Sequence, residues 1–382
     1  MIDNKVGIYI HVPFCLSRCH YCDFCSTRAT GEDILHRYTE QVCREIEMIS
    51  DKIKAEKGSL PVADTVYLGG GTPTLLSEDM IARLLCAVND AFGIEKDAEM
   101  TAEANPKTAD REKLFAMHSL GINRLSIGMQ SMHDSELKAL GRIHKSADFL
   151  GIYEQARGAG FDNVSVDLMY GIPNQTRQSF AESVERLISL SPEHVSSYCL
   201  TVEEGTRFDK MRDSLSLPDE DTVSDMYADM TDVLQKSGYE KYEISNFSHK
   251  GRQSLHNIKY WERESYLGFG PAAHSFFDGV RYAHTRDIEA YLCGEDIYTD
   301  IENISADEAR REAVMLGMRL SRGIDIKKFN SHYACDFEAL YGRAFRKYCP
   351  EYVSLDSNVC RFTHKGMFVS NFILSDVLDF GD

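Results

Sequence analysis

Six short runs of apolar and β-branched residues recur through about the first 200 positions, and segments of helical period separate them. The runs are Gly7–Val12, Thr65–Gly70, Met100–Ala104, Arg124–Gly128, Asn163–Tyr170 and His194–Val202. Strands that are apolar along their whole length are buried on both faces, as in parallel sheets. The helical segments are Ile34–Ile53, Glu78–Phe92, Arg111–Leu120, Ala147–Ala159 and Ser179–Leu190. Ser77 is placed to cap the second of them, and Gly121 and Gly160 stand where helices stop. This rhythm predicts a parallel α/β architecture, either doubly wound or a barrel. Six units are two short of a closed eight-stranded barrel, so a partial, open barrel fits the count. In both architectures chemistry gathers at the C-terminal ends of the strands.

Beyond Leu200 the rhythm breaks. Asp219–Ser237 reads as an acidic amphipathic helix, and Tyr239–Pro271 reads as aromatic, His- and Gly-rich loops with short strands. Ser305–Leu320 opens with a capping-box pattern, and Asp336–Tyr348 has helical character. The stretch CRFTHKGMFVSNFIL alternates like a hairpin turning near Lys365 and Gly366. The chain therefore divides into residues 1–237, a barrel; 238–299, a connecting region; and 300–382, a small helical and hairpin domain.

The 382 residues carry 42 basic and 60 acidic side chains, a formal charge of −18. So acidic a chain repels phosphate backbones, which argues against non-specific nucleic-acid binding. The N-terminal residues lack the pattern of a secretion signal, and no apolar run is long enough to span a bilayer. The expected location is the cytoplasm, where eleven cysteines are not expected to form structural disulfides. Seven of them are scattered singly and read as small buried hydrophobes.

The other four crowd into IYIHVPFCLSRCHYCDFCS, residues 8–26. Cys15, Cys19 and Cys22 form C-x3-C-x2-C in the loop after the first strand, and Cys25 follows. Thiolates ligate iron–sulfur clusters and zinc. Zinc knuckles usually come in pairs, and no second C-x2-C or H-x3-5-H is present. A redox C-x-x-C reading would leave Cys15 unexplained. Three thiolates on a four-iron cluster leave one iron open to a small molecule. A zinc site, or no site at all, are the competing readings.

Other polar residues stand at the strand ends. YLGGGTPT, residues 67–74, is too short of a Gly-Lys-Ser/Thr element to be a phosphate loop, but its glycines permit close backbone approach. Glu103, Gln130, Arg142 and Asp167 sit at or just past other strand ends. Glu103 and Asp167 are flanked by apolar strand residues, and a buried carboxylate needs a partner. A ligand or an internal salt-bridge network would supply one.

The cysteine spacing resembles the radical S-adenosylmethionine (SAM) superfamily. YIHVPFC, YLGGGTPT, EANP, RLSIGMQS, LGRIH, DLMYGIP, GFGPAAHS and THKGMFVSN extend the resemblance from Tyr9 to Asn371. They point to the branch of oxygen-independent coproporphyrinogen III oxidases and haem chaperones. The resemblance implies an α/β partial (βα)6 barrel with a smaller C-terminal domain. It implies a [4Fe–4S] cluster on Cys15, Cys19 and Cys22, whose open iron takes the amino and carboxylate groups of SAM. It assigns SAM contacts to Tyr9, Tyr21, Gly70, Gly71, Thr72, Glu103, Gln130, Arg142 and Asp167. Three departures favour a haem chaperone over the alternative, an oxidase that decarboxylates coproporphyrinogen III. The oxidases' extra cysteine falls at Phe24, fourteen residues precede Cys15 where the oxidases carry an extension, and HNIKYW, residues 256–261, matches the chaperone branch. His is a common axial ligand of haem iron, so His256 is the candidate haem contact, with Tyr260 and Trp261 against the porphyrin. The implied partners are haem or porphyrin as cargo, haem-accepting proteins, a reductant for the cluster and transient contacts with membrane proteins. Cys25 is expected to ligate nothing.

Overall fold

The computed structural model describes residues 4–294 and 297–378. The outermost residues of the first and third regions proposed above, and positions 295–296 in the second, lie outside it. The six expected strands form β1 (Lys5–Val12), β2 (Val62–Gly70), β3 (Ile94–Ala104), β4 (Arg124–Gln130), β5 (Val164–Tyr170) and β6 (His194–Cys199). They are parallel and adjacent in sequence order. The helices between them include α1 (Glu32–Lys57), α2 (Glu78–Phe92), α3 (Arg111–Ser119), α4 (Asp134–Ala139), α5 (Ser146–Gly158) and α6 (Arg177–Leu190). Ser77 caps α2 by accepting the Met80 N–H, as its place in the sequence implied. The short α4 was not anticipated; six residues give too little periodicity to read.

The middle region corrects the expected division. Residues 238–299 do not connect two domains but extend the same sheet. Here lie β7 (Glu240–Lys241), β8 (Asn246–Ser248), β9 (Tyr266–Phe269), β10 (His274–Phe277) and β11 (Val280–His284), with β12 (Tyr298–Asn303) completing a twelve-stranded order β12-β11-β10-β9-β1-β2-β3-β4-β5-β6-β8-β7. The strand β9 pairs parallel to β1, with Gly7 opposite Tyr266 and Ile10 opposite Phe269. The strand β1, which leads into the cysteine loop, is therefore flanked on both sides. Two- to six-residue strands rich in Tyr, His and Gly carry little periodicity, which is why this stretch read as loops. A helix, Leu255–Glu262, was also missed.

A separate apolar core, from Val314 to Leu378, marks the C-terminal domain. The boundary falls after β12 rather than at residue 300. The expected hairpin around Lys365 and Gly366 is also corrected. The strands there are Val353–Leu355 and Val359–Phe362, turning where the Asp356 carboxylate accepts the Asn358 and Val359 N–H groups. Thr363 then accepts the Gly366 N–H and caps a helix. Ile373, Leu374, Val377 and Leu378, at helical spacing, face the core. Among the described residues, no helix is long and apolar enough to cross a membrane.

Candidate functional site

At the C-terminal end of β1 the chain enters the cysteine loop under tight control. Phe14 is fully buried edge-on against Tyr38 of α1, and the Tyr38 hydroxyl donates to the His11 carbonyl at 2.7 Å. The His11 ring bonds the Tyr9 hydroxyl at 2.9 Å through Nδ1 and the Cys25 carbonyl at 2.8 Å through Nε2. The loop is thus tied at its far end to the strand it left. Its middle is fixed by backbone bonds from His20 N–H to the Leu140 carbonyl and from Phe208 N–H to the His20 carbonyl.

The glycines of β2 serve this loop. A Cβ on Gly71 would lie 2.6 Å from the Phe14 carbonyl oxygen and 2.7 Å from that of Val12. One on Gly70, whose φ is +104°, would strike the His11 ring at 2.5 Å. Close approach is required here, as the sequence implied, but by the neighbouring backbone and ring.

Cys15, Cys19 and Cys22 open onto a single cavity of about 590 Å³ that runs into the barrel. Tyr21, Gly70, Gly71, Thr72, Glu103, Gln130, Arg142 and Asp167 line it as well. Tyr9 does not: its ring lies inside the barrel near those of Tyr67 and His256, and its hydroxyl is spent on His11. Cys25 also turns away, its thiol pointing to the Arg286 carbonyl at 3.3 Å. His256 is buried on a helix, with Nδ1 bonded to the Thr65 hydroxyl and Nε2 to that of Tyr260, each at 2.8 Å. Neither ring nitrogen is free for an iron, so the structure gives His256 a structural place. Trp261 faces the Arg319 guanidinium.

One hydrogen-bonded chain joins two of the cysteines. Arg142 donates to the Cys19 sulfur at 3.4 Å and to the Asn105 side-chain carbonyl at 3.0 Å. Asn105 donates to the Thr72 hydroxyl at 2.9 Å, and Thr72 to the Cys15 sulfur at 3.7 Å. Arg142 also holds the Gly128 carbonyl, while its Nε is buried without a partner. Glu103 accepts from the Tyr67 hydroxyl and the Gly70 N–H. Burial, aided by Asp167, pushes its carboxyl up to about 7. Burial also raises Asp167, which accepts from Ser126. Gln130 takes a left-handed backbone (φ +64°) and receives the Tyr198 hydroxyl. Strain of this kind in a non-glycine residue accompanies functional sites. Asn105, Tyr67 and Tyr198 were missed from the sequence. Asn105 stands two residues past Glu103 in EANP, a place that alone did not mark it.

The donor set suits a thiolate-bound cluster. All three cysteines are free, and the Arg142 guanidinium lies beside the Cys19 sulfur. Burial raises the Cys15 thiol and pushes Cys22 up to about 11, protons that a metal would displace on binding. Among the described residues, no three His, Cys, Asp or Glu side chains are gathered tightly enough for one ion.

Comparisons with known proteins agree with this geometry. Residues 9–187 match the model of the radical SAM superfamily, and residues 304–369 that of the HemN C-terminal domain. The haem chaperone HemW of Lactococcus lactis subsp. lactis is 34% identical, over 99% of this chain and 100% of its own. The haem chaperone HemW of Bacillus subtilis is 34% identical, over 95% and 96%. The solved structure of coproporphyrinogen III oxidase (HemN) from Escherichia coli superposes with a TM-score of 0.85, covering 99% of this chain and 91% of that one, at 21% identity. That last likeness speaks for the fold alone.

Proposed function

The chain belongs to the radical SAM superfamily and to its family of HemW haem chaperones, and on that premise we propose that it carries a [4Fe–4S] cluster and SAM, binds haem and passes it to haem proteins. The observation that supports this most is the single cavity onto which three free cysteines, Arg142, Glu103 and Asp167 all open. Cys15, Cys19 and Cys22 would hold the cluster, which when bound supplies an iron without a protein ligand. Arg142 keeps positive charge at the Cys19 sulfur and, with its free Nε, offers one more donor to a carboxylate. Glu103 and Asp167 offer acceptors to ammonium or hydroxyl groups. Gln130 and Tyr198 line the cavity beside Arg142.

Leu16, Phe24 and Ile143 line the mouth of this cavity and are 41%, 63% and 52% exposed. This apolar rim offers a face to a porphyrin, and we place the haem there rather than at His256. The eleven cysteines suit a reducing, cytoplasmic location, and the cluster needs a reductant from outside the chain.

Anaerobic reconstitution followed by haem titration, and then by transfer to an apo-haem protein, tests the reading. Iron uptake with transfer supports it; zinc uptake without iron defeats it. Incubation with coproporphyrinogen III, SAM and a reductant tests the oxidase alternative, which turnover to protoporphyrinogen would establish.

A further inference from the structure

The cavity has a second end. Along β4 the residues facing inward are Arg124, Ser126, Gly128 and Gln130, all of which line it. Gln130 stands near the cysteine loop, and Arg124 lies six residues back, roughly 20 Å along the strand. Among the described residues Arg124 is the largest fully buried side chain, 2% exposed. Its Nε is buried with no partner, and among the described residues no carboxylate pairs with it.

A guanidinium cannot shed its charge, so burying one without a counter-ion is costly. The groups around it give it no direct partner: Glu103 and Asp167 feel its charge through space, but their hydrogen bonds go to Tyr67 and Gly70 and to Ser126. On each side stands a buried chain of three groups, Thr65–His256–Tyr260 and Ser165–His194–Tyr242, with every ring nitrogen bonded at 2.8 Å. Burial lowers both histidines, so neither brings charge of either sign at neutral pH. What is left is a buried guanidinium with no carboxylate in direct contact, facing a cavity that reaches solvent.

We propose that the floor of the barrel cavity is a carboxylate-binding site centred on Arg124. A guanidinium prefers a planar, bidentate oxyanion, and a carboxylate matches it. In the function proposed above the source is a propionate of the tetrapyrrole; the amino-acid carboxylate of SAM, expected beside the cysteine loop, is the alternative that the test separates.

The test uses the full chain with its cluster reconstituted, as wild type, Arg124→Gln and Arg124→Lys. Affinities are measured for haem, for haem with both propionates esterified, and for SAM. With a propionate in the site, wild type prefers haem over the ester by roughly tenfold to a hundredfold. Arg124→Gln loses the preference, Arg124→Lys keeps part of it, and SAM affinity is unchanged. With the SAM carboxylate in the site, SAM affinity falls by a similar factor in Arg124→Gln while haem and ester are unaffected. These arms rest on the proposed function. A third does not: succinate raises the melting temperature of wild type and not of Arg124→Gln, whether or not haem or SAM binds. A folded Arg124→Gln with unchanged haem and SAM affinities and the wild-type response to succinate overturns the site.

Discussion

Replacing Glu103 with Gln should raise the thermal stability of the cluster-free protein at pH 8 and hardly change it at pH 5. Glu103 is half-buried in the cavity wall, and its carboxyl is held at about 7 against an ordinary 4.5. Between those values the folded protein keeps a proton that the unfolded chain releases. Its contribution is therefore intact below about pH 4.5 and is lost as pH rises to about 7. The ionised folded form is worse by about 3.4 kcal/mol in full. At pH 8 nearly all of that cost is present, and at pH 5 about 0.8 kcal/mol. Glutamine fills the same space with no charge, so it removes the pH-dependent part, about 2.5 kcal/mol between the two pH values. A chain of 382 residues unfolding as one unit gains about 0.8 kcal/mol per kelvin in entropy. The melting temperature of Glu103→Gln relative to wild type should thus climb by about 3 °C from pH 5 to pH 8. Differential scanning calorimetry of both proteins across that range reads the gap directly. Parallel pH profiles for wild type and variant would refute the claim that a raised carboxyl sits at this position.

Three further outcomes are expected. Gly71→Ala forces a methyl against the Val12 and Phe14 backbone, so it should cost about 1–3 kcal/mol and lower the iron bound per chain on reconstitution. Cys19→Ala should abolish the brown cluster absorption, whereas Cys25→Ala should retain it at wild-type iron content, because its thiol points to Arg286. His256→Ala strands the Thr65 and Tyr260 hydroxyls; it should lose about 1–3 kcal/mol of stability while haem titration stays as in wild type.

The barrel half of the fold was legible because its strands are long, apolar and evenly spaced. The strand β4 is buried at all seven positions, and such a run has few alternatives. The β7–β12 additions were not legible: a strand such as Asn246–Ser248 is too short to show a period, and its place depends on pairing with β6. The C-terminal hairpin failed for a related reason. Alternation over CRF is a true strand signal, but the Thr363 cap that ends it is a local hydrogen bond, read only once the Gly366 N–H is seen to point at it. At the site, residues whose type is costly inside a strand, such as Glu103 and Asp167, announced themselves. Asn105 and Tyr198 did not, since their roles come from what Arg142 and Gln130 do with them. Arg124 was passed over as the opening residue of a strand, where a charged side chain is ordinary.

The pairing of β9 with β1 has a consequence for the order of events during synthesis. The strand that leads into the cysteine loop is made long before Tyr266–Phe269, the neighbour that covers its outer edge. At roughly 5–20 residues per second, that neighbour emerges some 13–50 s later. Until then β1 carries an unpaired edge, and the loop holding Cys15, Cys19 and Cys22 hangs from a strand secured on one side. If the chain carries the proposed cluster, its loading would belong after this pairing, and an interruption anywhere before about residue 270 would leave a nascent chain with its thiols made but not positioned.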